Sequence, residues 1–229
     1  MKIVFTPDWF LNNDVLIEVV SFMVLFLFFI FAIKSYRLSR KKPILYLGIG
    51  FLLIAVGELS TLLTKIVLYY DTTVTREIGQ AVITYSIVKT VDFFYYLGFF
   101  FNRLFTLFGF YFIYKIPAEK KFTGDSLLVS YLLLITAFLS GSIYYLYHLT
   151  VLAILVLIIR HNYLNYEEKK LANTKILLVS FILLAISRIF FFFSSIEGFY
   201  VLAQSLQLVS YITLFFLIVK ILKNGKEKK

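Results

Sequence analysis

The sequence predicts an all-α, polytopic membrane protein, a seven-transmembrane-helix bundle forming a single domain over residues 1–229. Three observations carry that prediction. Of the 229 residues, 61% are hydrophobic and only 16% are charged, against about 45–50% and about 25% in an average soluble domain. The apolar residues fall into seven runs, most of them close to the ~20 residues a helix needs to cross a ~30 Å hydrocarbon core. Basic residues gather at alternate ends of those runs, as membrane topology requires.

The first span, 15–36, is too long and too rich in Phe for a signal-peptide core, and no small-residue cleavage site follows it. The second covers 43–70, with Pro43 in the first turn, where a missing N–H costs nothing. The third lies within 82–115 and exceeds what a bilayer needs, so its start is expected to stand about two turns above the outer surface. The fourth, 126–141, is the shortest. The fifth is 142–160, the sixth 174–195 and the seventh 199–223. The longest cytoplasmic connection is expected at 161–173, and no soluble domain is left over. The basic C-terminal tail suits anionic headgroups.

Charge orients the bundle. One set of ends holds Lys34, Arg37, Arg40, Lys41 and Lys42, then Lys115, Lys120 and Lys121, then Arg160, Lys169, Lys170 and Lys175, then Lys220, Lys223, Lys226, Lys228 and Lys229. The opposite set holds only Lys2 and Arg76. Short Lys- and Arg-rich loops stay in the cytoplasm. The N-terminus is therefore expected outside and the C-terminus in the cytoplasm of a cell membrane.

Composition also excludes. There is no Cys, hence no disulfide, thiolate metal site or Cys nucleophile. With His148 and His161 alone, a histidine-paired haem and a three-His zinc site are excluded. The net charge of +10 is accounted for by topology, so the lipid bilayer and not nucleic acid is the expected partner. No cofactor and no metal are expected.

Spans one to three and five to seven share an orientation, which predicts a 3+1+3 parallel repeat around span four. The stretch Gly50 to Glu58 aligns with Ser180 to Arg188, placing Glu58 and Arg188 at equivalent positions with opposite charge. Phe94-Tyr95 aligns with Phe199-Tyr200, and Lys115-Ile116 with Lys220-Ile221. Parallel repeats build some transporters.

Ionisable groups at membrane depth cost ~2.5–3.5 kcal/mol each and usually face the bundle interior. At ~1.5 Å per residue from the basic ends, Arg103 lies at ~16 Å, His148 at ~18 Å, Arg188 and Gln207 at ~20 Å, Glu58 at ~22 Å and Gln204 at ~24 Å. Five helices thus place polar groups in one layer, and these six residues form the candidate ligand site. Lys65, Lys89 and Asp92 fall higher, where they are expected to snorkel. Small residues line other faces: Gly50, Gly57, Thr61 and Thr64 on span two, Gly98, Asn102, Thr106 and Gly109 on span three, Ser180, Ser187 and Ser194 on span six, Ala203, Gln207 and Ser210 on span seven. Such stripes are where membrane helices meet.

Two readings of the charged layer stand side by side. In one, Glu58 bridges Arg103, Arg188 or both and ties three helices together. In the other, the single surplus positive charge meets a small anionic ligand, for which guanidinium is the expected group. His148 has Tyr144, Tyr145 and Tyr147 as expected hydrogen-bond partners.

The layout is similar to that of the microbial rhodopsins, which need a Lys midway along the seventh helix. Residues 203–211 contain none, so a retinal pigment is excluded. The three-one-three order is similar to that of small sugar transporters, yet no Pro-Gln pair occurs. No second carboxylate, metal set or nucleophile–base pair accompanies Glu58, and no catalytic residue is assigned. The expected function is a sensor or receptor-like module that binds a small molecule in the outer half of the bundle and signals through a cytoplasmic or membrane partner protein. The alternatives are a transporter of a small anionic solute and a structural accessory subunit. Transporters use discontinuous helices near the midplane, and Pro7, Pro43 and Pro117 all lie at or outside span ends.

Overall fold

The computed structural model describes residues 7–10, 13–40, 42–78, 81–115, 124–196 and 198–226, with side chains at 8, 68–78, 81–94 and 222–226 outside the description. A short 3-10 turn, Asp8–Phe10, precedes seven α-helices: α1 Asn13–Ser39, α2 Lys42–Ile78, α3 Ala81–Lys115, α4 Gly124–Leu139, α5 Tyr144–Lys169, α6 Ala172–Phe192 and α7 Phe199–Lys226. Helices are what such a composition must form, because a backbone in hydrocarbon has to satisfy its own N–H and C=O groups. Six of the seven are long and apolar enough to cross a membrane. The exception is α4, whose 16 residues reach only ~24 Å at ~1.5 Å each.

Several boundaries differ from expectation. Helix α2 continues past residue 70 to Ile78, so the hairpin it makes with α3 is long on both arms. Helix α3 starts at Ala81, which agrees with a third helix that outreaches the bilayer. The connection expected at 161–173 is mostly helix, because α5 runs to Lys169 and α6 starts at Ala172. Only Lys170 and Leu171 link them, and Lys170 takes a left-handed conformation (φ 47°) with its N–H on the Tyr166 carbonyl at 2.7 Å. The same αL closure ends α1 at Arg40 (φ 55°), whose N–H meets the Tyr36 carbonyl at 2.7 Å.

Neighbouring helices in the chain pack side by side, and α7 returns to α1 while α3 meets α5. Six helices thus close a ring, in the order α1, α2, α3, α5, α6, α7. Helix α4 lies outside it against α3 and α5. It starts where the Lys115 ammonium donates to Ser126 Oγ and ends at a turn where a Cβ on Gly141 would stand 3.9 Å from an Arg103 guanidinium nitrogen. It therefore runs antiparallel to α3 from the end of that helix to the depth of Arg103. The turn at 140–143 satisfies its own N–H groups through the carbonyls of Thr136, Phe138 and Leu139, as buried backbone must.

The small-residue stripes meet one another. A Cβ on Gly57 would lie 3.0 Å from the Asn102 carbonyl oxygen, and one on Gly109 would lie 2.7 Å from that of Gly50. Asn102 Nδ2 donates to the Gly57 carbonyl at 2.9 Å. On the far side, Ser187 Oγ donates to the Ala203 carbonyl at 2.9 Å and Ser210 Oγ to that of Ser180 at 2.8 Å. The α2/α3 crossing is glycine backbone on backbone, whereas the α6/α7 crossing is held by serine hydroxyls. Toward the basic ends, Leu25, Phe51, Ile54, Leu107, Phe110, Leu155, Leu184 and Leu214 fill the ring and are buried. Outward faces carry exposed apolar side chains such as Leu127, Phe138 and Phe216.

Gly109→Val should therefore destabilise the bundle by about 1–3 kcal/mol or more, the cost of overpacking against atoms that cannot move aside. Ala153→Val, on an exposed face of α5, is the control. Thermal unfolding in detergent checks the pair, and equal midpoints would contradict the crossing described here.

Candidate functional site

All six candidate residues, Glu58, Arg103, His148, Arg188, Gln204 and Gln207, line one cavity of about 90 Å³ inside the ring. The layer inferred from helical rise thus lines a single cavity, to which α2, α3, α5, α6 and α7 contribute. Helix α1 contributes as well, through Glu18, and α2 adds Thr61 and Lys65.

Lys65 overturns an expectation. Its ammonium does not snorkel to an interface. It donates to Asp14 Oδ2 at 2.7 Å, Glu18 Oε1 at 2.5 Å and the Tyr200 hydroxyl at 3.3 Å, and its side chain is only 3% exposed. Asp14 and Glu18 stand one turn apart on α1, so both reach the same cation. An ammonium in this position needs internal partners, because water cannot solvate it. The sequence reading passed over both acids because they sit near the start of span one, where an exposed interfacial position is the usual expectation. The i, i+4 spacing of Asp14 and Glu18 at the start of an apolar run was the signal available. Lys89 and Asp92 lie outside the described side chains.

Glu58 is not bridged to either arginine. Its Oε1 accepts from Gln207 Nε2 at 2.9 Å and from the Tyr211 hydroxyl at 3.2 Å. Among the described residues, the only ion pairs within 4.0 Å are those of Lys65. Neutral donors on α7 supply what the arginines were expected to supply. The surplus positive charge is also corrected: Asp14, Glu18 and Glu58 formally balance Lys65, Arg103 and Arg188.

The guanidinium of Arg188 instead lies against aromatic rings, 5.3 Å from the centroid of Phe191 and 5.9 Å from that of Tyr147. Its Nε has no hydrogen-bond partner. His148 differs from expectation in the same way. It makes ring contacts with Tyr144, Tyr147 and Phe191 at 4.7, 4.9 and 5.2 Å, yet neither ring nitrogen is hydrogen-bonded. Tyr145 points away and packs on Phe192. Gln204 donates to the Tyr200 hydroxyl at 3.0 Å, while its own carbonyl oxygen is unpartnered.

Toward the basic ends the cavity meets the apolar core. On its other side Phe10, Ile17, Phe191, Tyr200 and Ala203 form a small separate cluster beside Lys65 and its two acids.

Fold and site together describe an all-helical protein with six helices long and apolar enough to cross a membrane, which fits a multi-pass membrane protein, and with a cavity lined by charged residues inside the ring. Comparisons with protein-family profiles, with curated proteins and with solved structures find no match.

Lys65→Met should destabilise the protein by about 3–5 kcal/mol, since it strands two buried carboxylates. The triple change Asp14→Asn, Glu18→Gln, Lys65→Met should recover most of that loss, because no uncompensated charge remains. Detergent-solubilised unfolding midpoints test the order; a single variant as stable as wild type would show that the acids do not depend on Lys65.

Proposed function

We propose that the chain is a sensor or receptor-like module of a cell membrane, binding a small molecule with an anionic group in its interior cavity. The observation that carries this reading is the pair of buried guanidinium groups, Arg103 and Arg188, on one cavity with no carboxylate partner. Guanidinium is the side chain suited to carboxylate and phosphate, and ionisable groups at membrane depth are usually functional. The thick apolar core beyond the cavity supports a receptor over a conduit. In this reading the signal passes to a cytoplasmic or membrane partner protein.

The topology that goes with this reading has seven spans, the N-terminus outside and the C-terminus in the cytoplasm. The lopsided distribution of Lys and Arg supports it. In this reading α4 is the seventh span, rising beside α3 from its basic end to the depth of Arg103.

Transport is the second reading, and the internal repeat is what favours it. A shift of 130 residues superposes Gly50–Glu58 on Ser180–Arg188. Under that shift every buried residue of α6 named for that helix falls on a buried residue of α2, from Leu178 on Gly48 to Phe191 on Thr61. The five buried residues of α5 fall on Ile17, Glu18, Ser21, Leu25 and Phe28, all buried. The left-handed residues Arg40 and Lys170 obey the same shift. In parallel repeats the solute site lies at the repeat interface.

Two experiments follow. Single cysteines at Ser39 and Ile196, introduced into a chain that has none, should label from opposite sides of a sealed membrane; labelling from one side removes the seven-span topology. A small carboxylate or phosphate compound that binds should raise the unfolding midpoint, by about 2.7 kcal/mol of stability at a hundred times its Kd, and Arg188→Gln should abolish the rise while the bundle stays folded. If no small anion stabilises the wild-type protein, the binding reading fails. Uptake of the same compound into proteoliposomes would assign transport.

A further inference from the structure

The cavity has two chemically different walls. On one side stand α7, α1 and α2, neighbours in the ring; on the other stand α3, α5 and α6. The first wall carries Asp14, Glu18, Glu58 and Lys65, a formal charge of −2. The second carries Arg103 and Arg188, a formal charge of +2 with His148 neutral. Lys65 offsets one acid within the first wall, and the two negative charges left over face the two arginines across the space.

The unpartnered atoms divide in the same way. Lys65 occupies only one oxygen of Glu18, and the other, Oε2, is buried without a hydrogen bond. Gln204 Oε1 and the Thr61 hydroxyl are likewise buried and unpartnered, and all three residues line the first wall. On the second wall the unpartnered atoms are Arg188 Nε and the two nitrogens of His148. Every one of these five side chains is more than nine-tenths buried. Buried polar atoms without partners are uncommon and imply something that completes them. Glu18 Oε2 and Gln204 Oε1 on the first wall are acceptors and Arg188 Nε on the second is a donor, while the Thr61 hydroxyl and the neutral His148 ring can each do both.

From this partition we propose that the ligand is a small zwitterion. Its ammonium lies toward Glu18, Gln204 and Thr61, and its carboxylate toward Arg188, Arg103 and His148. This deepens the binding reading above and rests on it: the anionic group is the one already assigned to the arginines, and the cationic group is new. Size agrees. A cavity of about 90 Å³ is several times the ~10–15 Å³ that a single water needs, so a small molecule of a few heavy atoms has room. A simple anion would satisfy the second wall and leave Glu18 Oε2 and Gln204 Oε1 without donors. An ammonium supplies up to three N–H donors, matching the acceptors opposite.

The experiment uses the full chain in detergent and a panel of short amino acids (glycine, alanine and β-alanine), each compared with the carboxylate that lacks its amine: acetate or propionate. Ligand-dependent unfolding midpoints and titration calorimetry give the Kd values at fixed ionic strength. At least one amino acid should bind about tenfold or more tighter than its deaminated partner, the gain expected from a charged hydrogen bond. Glu18→Gln should erase that preference and retain carboxylate binding. Thr61→Val serves where Glu18→Gln does not fold, since it removes one unpartnered hydroxyl at little change in volume; it should reduce the preference. Carboxylates that bind as tightly as the amino acids would overturn the zwitterion and leave the anion site standing. No binding by any member of the panel would overturn both.

Discussion

A lysine ammonium held between two carboxylates sets the terms for this bundle. Lys65 on α2 engages Asp14 and Glu18 on α1 and the Tyr200 hydroxyl on α7. Three helices are thereby joined at one point. Charges taken out of water are costly unless the geometry gives each of them partners, and here the geometry demands two acids one turn apart on a single helix. The arrangement also leaves a net negative charge on that side and one free oxygen on Glu18. The polarity of the cavity starts from this triad, since among the described residues the opposite wall has no acid of its own to neutralise its arginines.

The cavity exists because two tight crossings flank it. Glycines at 50, 57, 98 and 109 let α2 and α3 approach until backbone meets backbone. The hydroxyls of Ser187 and Ser210 do the same for α6 and α7, donating to the carbonyls of Ala203 and Ser180. Such bonds average only ~0.6 kcal/mol in membranes, so close packing, more than hydrogen bonding, holds both seams. Between the seams the walls carry long polar side chains, which cannot interlock as Leu and Phe do in the core below. A void with polar lining of this kind takes up water or a ligand, whereas an apolar void of equal size stays dry.

Much of this was legible in the residues themselves. The runs of Leu, Ile and Phe mark the helices, and the small-residue stripes mark both crossings. Depth from helical rise put Glu58, Arg103, His148, Arg188, Gln204 and Gln207 at one level, and one cavity holds them all. What could not be read was partnership. Glu58 could equally face Arg103, Arg188 or Gln207, because helical spacing fixes depth and face but not which side chain across the bundle is nearest. Lys65 lay high enough on its helix to snorkel, and only the position of α1 beside α2 turns it inward. The ends of α2 and α5 were misplaced for a related reason: polar residues such as those at 161–169 end a membrane span without ending a helix.

The two walls are related in a way that bears on how charge is tolerated at membrane depth. Under the repeat we propose, α1 and α2 exchange with α5 and α6, so the acidic wall exchanges with the basic one. Glu18 falls on His148, and Glu58 on Arg188. Had duplication kept the same residue at both places, like charges would face each other across a space of low dielectric, where repulsion between them is large. Opposite charges on equivalent positions remove that repulsion, and the cavity as a whole stays neutral toward the surrounding lipid. A neutral set of paired charges is far cheaper to embed than the same charges of one sign. The cost of embedding is thus lowered by the same antisymmetry that leaves a directed field inside, and the backbone can remain nearly symmetric while the site it encloses is not.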